Sequence, residues 1–136
     1  MASDLKIHVF RLKPHQDLKK SILEFAHNNS INAGVLLTCV GSLEQFHVRF
    51  ADQKTGYRQT GRYEIVSLTG MFSASEGHFH LSLSDASGKV TGGHLLDENL
   101  IYTTAEIAIA ELTDVTFRRE VDSTYGFKEL VIKPAQ

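Results

Sequence analysis

His78 and His80 stand two residues apart in GHFHLSLS, and a third histidine, His94, follows two glycines in GGHL. Residues at i and i+2 of a strand point to one face about 6.6 Å apart. The strand reading therefore sets His78 and His80 side by side, with Phe79, Leu81 and Leu83 facing the other way. Two neutral imidazoles on one face can share a metal. Zinc takes imidazole nitrogens at about 2.0–2.1 Å in a tetrahedron, which brings ligand nitrogens to roughly 3.3 Å from one another. A third imidazole from a neighbouring strand would complete a three-histidine set and leave one position open to water or an outside ligand. Spacing alone leaves an alternative open, in which His78 and His80 lie on a solvated sheet face beside Ser82 and Ser84 and His94 sits in an unrelated turn.

An open metal position could serve a reaction, since a metal lowers the pKa of bound water and a nearby carboxylate can act as general base. Glu64, Glu76 and Glu106 are the candidates, but each reads first as an ordinary surface or subunit-contact carboxylate, and none is named as catalytic. Other catalytic signatures are missing. Ser42, Ser67 and Ser73 lie outside any Gly-x-Ser-x-Gly elbow, there is no glycine-rich phosphate loop, and neither Gly41 nor Gly77 begins a dinucleotide fingerprint. The one cysteine, Cys39 in GVLLTCV, reads as a small buried thiol.

These side chains need a scaffold, and 136 residues with 42% apolar and 22% charged content suffice for one domain, taken as residues 1–136. The N-terminal stretch has scattered charges and no apolar leader, and no segment approaches 18 apolar residues, so a soluble, intracellular protein with no membrane contact is expected. A net charge of −2 and a pI near 6.4 argue against nucleic acid as a partner. Lys19-Lys20 and Arg118-Arg119 read as solvated faces.

LKIHVFRL is a strand expected to be covered on both sides, ended by Pro14. Leu18, Ile22, Phe25 and Ala26 then predict a helix over 17–28, with Asp17 as cap and Asn28-Asn29 as stop. The run that follows divides at Gly41-Ser42 into two strands. A β-α-β start predicts a parallel, right-handed pair, the later short connections predict antiparallel neighbours, and the sheet should be mixed. DQKTGYRQTG reads as a polar turn, RYEIVSLTGMFS and HFHLSLSD as strands, and Asp85 to Gly88 as a turn. KVTGGHLL reads as a short strand interrupted at Gly92-Gly93, where a bulge or a close backbone approach would hold His94 at an irregular point. IYTTAEIAIAEL fits strand and helix alike. VTFRREV and KELVIK are final strand candidates around the DSTYGF turn.

GRYEIVSLTG, HFHLSLSD, GGHL and TAEIAI, in this order and spacing, resemble the plant and prokaryote conserved domain, or PPC domain. The resemblance extends over nearly the whole chain, including the opening strand and helix and GVLLTCVGSL. It implies an α+β fold with a mixed, largely antiparallel sheet flanked by helices, assembled as a homotrimer, and a strand for IYTTAEIAIAEL. It also implies a divalent-metal set at His78, His80 and His94, with zinc as first choice. In plants the domain follows a DNA-binding AT-hook, and a Gly-Arg-Phe-Glu-Ile stretch is tied to association with other proteins. Here that stretch is Gly61-Arg62-Tyr63-Glu64-Ile65, with Tyr63 in place of phenylalanine, and Arg62 and Glu64 are expected to help fix subunit register. The sequence has no Arg-Gly-Arg-Pro core and neither proline follows an arginine, although stand-alone forms of the domain often carry a provisional DNA-binding label. The expected function is a trimeric, metal-holding module for protein interaction or ligand presentation. The alternatives are a small metal-dependent hydrolase or lyase and a DNA-associated protein.

Overall fold

In the computed structural model, which describes residues 1–136, the alternating runs become eight strands and one helix. These are β1 Leu5–Leu12, α1 Leu18–Asn28, β2 Gly34–Arg49, β3 Tyr57–Phe72, β4 Gly77–Ser84, β5 Val90–Leu95, β6 Leu100–Leu112, β7 Val115–Val121 and β8 Lys128–Pro134. The main sheet has the order β1-β6-β2-β3-β4-β5, and β5 also pairs with the end of β2; β7 and β8 form a separate hairpin. No helix is long and apolar enough to cross a membrane.

Every strand pairing is antiparallel, so the sheet is not mixed. The crossover through α1 does bring β2 back in the direction of β1, but β6 inserts between them and pairs antiparallel with both. Its two edges satisfy the ladder groups of both neighbours, which a direct β1–β2 contact would have used. With a single 11-residue helix, the fold is nearly all-β rather than α+β, and no second helix flanks the sheet. IYTTAEIAIAEL is strand β6.

The helix begins at Asp17, whose carboxylate accepts from Lys20 N at 3.0 Å, and it ends where Asn29 N donates to Phe25 O at 3.1 Å. Leu18, Ile22 and Ala26 lie one turn apart and are fully buried, while Phe25 stacks on Phe10 of β1 at 4.0 Å. Two backbone bonds of 2.8 Å, from His15 N to Ile101 O of β6 and from Leu18 N to Asn99 O just before it, tie the start of the helix to the beginning of that strand. The other face of β1 is bare: Leu5, Ile7 and Val9 are 60%, 56% and 75% exposed, so β1 is covered on one side only.

β2 runs through Gly41-Ser42 without a break. Its ladder with β6 slips at Leu36/Thr38, Gly41/Leu43 and Leu43/Gln45, bending the strand instead of ending it. Gly41 sits where β6 comes closest, and a Cβ there would strike Thr104 O. β3 begins inside the expected turn, at Tyr57, because Tyr57 to Thr60 pair with Val48 to Gln45. The β7–β8 hairpin packs through Val115 and Phe117 on Ala33, with Val35, Met71 and Leu130 alongside, and is pinned by Phe117 N donating to Asn32 O at 2.9 Å.

Candidate metal centre

Alternation places Phe79, Leu81 and Leu83 of β4 in the core at 1% exposure and leaves His78 and His80 on the opposite face. Register does the rest. His80 pairs with His94 of β5, and on the flanking strands His80 pairs with Thr69 and His94 with Arg49. Thr69, His80, His94 and Arg49 thus form one row across β3, β4, β5 and β2, with His78 in the next row beside Met71. His94 does not occupy an irregular point; it is a ladder residue with partners on both sides. The expected close backbone approach at Gly92-Gly93 is present. A Cβ on Gly92 would strike Leu81 O, and one on Gly93 would lie 2.6 Å from Arg49 O, so both glycines let β5 lie tight between β4 and β2.

One ring nitrogen from each histidine lies within 4.8 Å of those of the other two. Nε2 of His78 and Nε2 of His80 are 3.1 Å apart, near the roughly 3.3 Å edge of a tetrahedral zinc–imidazole set. Ring centroids are separated by 4.9, 5.0 and 5.9 Å. Burial lowers the pKa of His94 to about 4, aided by the positive charges of His78, Arg49, His80 and Lys19. Burial likewise lowers that of His78, followed by the charges of His80 and Arg119; Glu129 opposes the shift and Arg49 adds to it. Imidazoles must be neutral to coordinate, and these two are held neutral. The donor set, its spacing and its protonation fit a divalent ion that favours nitrogen.

Beside His78 and His80 opens a cleft of about 420 Å³, whose far side is supplied by Arg119, Glu129 and Leu130 of the hairpin. Arg119 therefore does not belong to a plain solvated face. Glu64, Glu76 and Glu106 do not line this cleft. Glu64 is exposed on β3, paired with Ser42 and Ser84; Glu106 is exposed on β6 in register with Arg11; Glu76 lies in the turn before β4, where its carbonyl accepts from Ser73 N. Of the 61–65 stretch, Ile65 is buried, Tyr63 meets the Phe46 ring edge-on at 4.9 Å, and the Arg62 guanidinium lies 3.9 Å over the Tyr102 ring of the same chain. The remaining solitary candidate, Cys39, is buried as expected, with its thiol pKa pushed up to about 12.

Sequence reasoning missed Arg49, Arg119 and Glu129, which come to the histidines only through register and hairpin docking. It also missed Asn99. This fully buried side chain accepts from His47 N at 2.8 Å and donates to His47 O at 3.1 Å and Leu96 O at 2.7 Å, fixing the turn that follows His94 to β2. Its signal was faint: an asparagine between Glu98 and Leu100, in the short polar stretch between two strand candidates.

The family model for the Plants and Prokaryotes Conserved (PCC) domain matches residues 1–113. The bifunctional protein GlmU of Synechococcus sp. (strain JA-3-3Ab) is 42% identical over 129 residues, 95% of this chain and 21% of that protein. The chain thus spans about a fifth of the length of the first curated relatives it matches. Among solved structures, a hypothetical protein from Salmonella cholerae-suis superposes with a TM-score of 0.98 at 32% identity, covering 100% of this chain and 99% of that one. A metal-containing protein from Archaeoglobus fulgidus gives a TM-score of 0.84 at 24% identity, with 96% of each chain covered, and so shares the fold. Two further proteins of this fold, from Bacteroides thetaiotaomicron and Ralstonia eutropha, each 19% identical, bear provisional DNA-binding names.

Proposed function

The chain belongs to the Plants and Prokaryotes Conserved domain family, and from that membership we propose that it is a homotrimeric module in which His78, His80 and His94 hold one divalent metal, zinc first. Its work is to present that metal, and the cleft beside it, to a small ligand or a partner protein. The observation that carries this reading is the meeting of three ring nitrogens within 4.8 Å on two hydrogen-bonded strands. When bound, the metal supplies a Lewis-acidic centre. The chain's residues aim the imidazoles, keep His78 and His94 unprotonated and leave one side open. No carboxylate or thiolate joins the set.

The trimer is supported by the bare apolar side of the sheet. Leu5, Ile7, Val9, Leu37, Val40 and Val66 are all more than half exposed, a patch that assembly would remove from water. The Gly61 to Ile65 stretch lies on β3 within that sheet, with Arg62 and Glu64 exposed to set subunit register or meet another protein.

Metal analysis of protein purified without a histidine tag tests the site. One equivalent of zinc per chain is expected, with affinity reduced at least 100-fold in His94→Ala and unchanged in His27→Ala. Uptake of no divalent metal, or parent-like binding by His94→Ala, rejects the site.

The open cleft supports a second reading, a small metal-dependent hydrolase or lyase, for which Glu129 lines the cleft with His78 and His80 where Glu64, Glu76 and Glu106 do not. The DNA-binding names of the two distant relatives suggest a third. A charge of −2 without a basic stripe supports no duplex recognition here, and submicromolar, sequence-dependent binding at physiological salt would overturn that exclusion.

A further inference from the structure

The hairpin of β7 and β8 lies beyond residues 1–113, the part that the family model matches, yet it supplies one side of the cleft at the histidines. Its Arg119 is only partly exposed and has no ion-pair or hydrogen-bond partner in the chain. Four of the other five arginines are engaged: Arg58 with Glu98 at 2.6 Å, Arg11 with Thr104 at 2.8 Å, Arg49 with Gln53 O at 3.2 Å and Arg62 over Tyr102 at 3.9 Å; the fifth, Arg118, is also unpartnered but stands exposed to water, unlike Arg119. A guanidinium drawn partly out of water without an acceptor is costly, and an anion entering beside it removes that cost.

We propose that Arg119 anchors the carboxylate of a small monocarboxylic acid in this cleft, with the acid's apolar part against Val35, Met71 and Leu130. The proposal deepens the ligand-presenting reading and rests on it. The cleft volume of about 420 Å³ falls within the range of small-ligand sites, about 300–1,000 Å³. A single guanidinium matches a planar carboxylate through two parallel N–H donors. A phosphate dianion fits less well, because it would meet the Glu129 carboxylate at the same cleft and find no glycine-rich backbone cradle. The charge of Arg119 already bears on His78, which places the anchor within electrostatic reach of the histidines. Ligand selection would then lie in a hairpin outside the matched domain.

Isothermal titration with 4-methylpentanoate and its neutral amide, on metal-free and zinc-supplied protein, is the test. The acid should bind at least tenfold more tightly than the amide. Arg119→Gln should weaken acid binding at least tenfold, Arg119→Lys less, and Arg118→Gln by no more than twofold, with melting temperatures of the variants compared in parallel. Equal binding by parent and Arg119→Gln, or no binding of the acid in either metal state, overturns the proposal. Zinc uptake is measured separately. Protein that takes up no zinc but binds the acid through Arg119 refutes the metal reading and sustains the anchor, whereas protein that takes up zinc but ignores the acid does the reverse.

Discussion

One row of paired residues, Ile7–Ala110–Val35–Met71–His78, crosses the outer face of the sheet from β1 to β4, and its two ends have opposite chemistry. The β4 end carries imidazoles under the flank of the β7–β8 hairpin. Its neighbours Val35 and Met71 are covered by the small cluster around Phe117. The β1 end carries Ile7, with Leu5 and Val9 beside it, and nothing in the chain lies over them. The same backbone ladder thus offers a recess of small-molecule size, with imidazoles and charged groups beside aliphatic side chains, at one end and a flat apolar strip at the other. Recesses with converging polar groups suit small ligands, and flat apolar strips suit protein surfaces. On this view the two ends are separable, and variants at one should leave the other working.

The largest effect is expected at the apolar end. Each large aliphatic side chain buried on assembly contributes about 1.5–3 kcal/mol, at least tenfold in association. Ile7→Asp combined with Val9→Asp should therefore weaken the proposed trimer by at least about 100-fold, while zinc per chain stays that of the parent. Light scattering reads the first result, as a fall from three times 15.1 kDa to the single chain mass, and metal analysis reads the second. A variant that stays trimeric would show that the bare strip is not the assembly surface. One that loses both properties would show that the two ends are coupled.

A smaller effect is expected at the seam between β4 and β5. Gly92→Ala drives a methyl group into Leu81 O, and β5 must shift to relieve it. Strain of this kind costs about 1–3 kcal/mol. The melting temperature should fall by several degrees and zinc affinity by about tenfold, because His94 moves with the strand. Thr91→Ala, on the same strand, should change neither much. A parent-like Gly92→Ala would mean that β5 can shift without disturbing the histidines.

How much of this could be read without the structure follows from how local each relation is. His78 and His80 share a face because of period two, so their pairing and the burial of Phe79 were legible. The helix cap at Asp17 was legible because a capping side chain reaches only three residues along the chain, to Lys20 N. Strand order was not, because the insertion of β6 between β1 and β2 depends on contacts between residues far apart in sequence, such as His8 with Ile109. The expected parallel pair failed at that point. Bends within strands were also hidden: Gly41 looks like a break in sequence and acts as a close-approach point in β2. His94 stood out in the sequence behind its two glycines and the family resemblance joined it to the set, but its pairing with His80 needed the β4–β5 register. Arg119 stayed out of reach because its position depends on Phe117 docking a terminal hairpin on Ala33.

The smallest predicted effect separates the two ends by proton linkage in metal-free protein. His94 titrates near pH 4 in the folded chain, chiefly through burial and then through His78, Arg49, His80 and Lys19, while an unfolded histidine titrates near 6.5. Between those values the unfolded state binds more protons than the folded one, so stability falls as pH drops from about 6.5 towards 4 and is level with respect to this group above that window. His78 acts in the same direction, since its folded pKa is also lowered. Both rings remain partly in contact with solvent, which screens the charge contributions and keeps the effect modest. Carboxylates begin to titrate at the acid edge of this range, so the difference between parent and variant is the quantity to measure. His94→Ala should show a shallower fall in melting temperature between about pH 6.5 and 4.5, whereas Val9→Asp, compared with the parent under monomeric conditions, should leave that part of the slope in place. If His94→Ala follows the parent at every pH, the imidazole is not held neutral by its surroundings, and the polar end of the row is less enclosed than its geometry indicates.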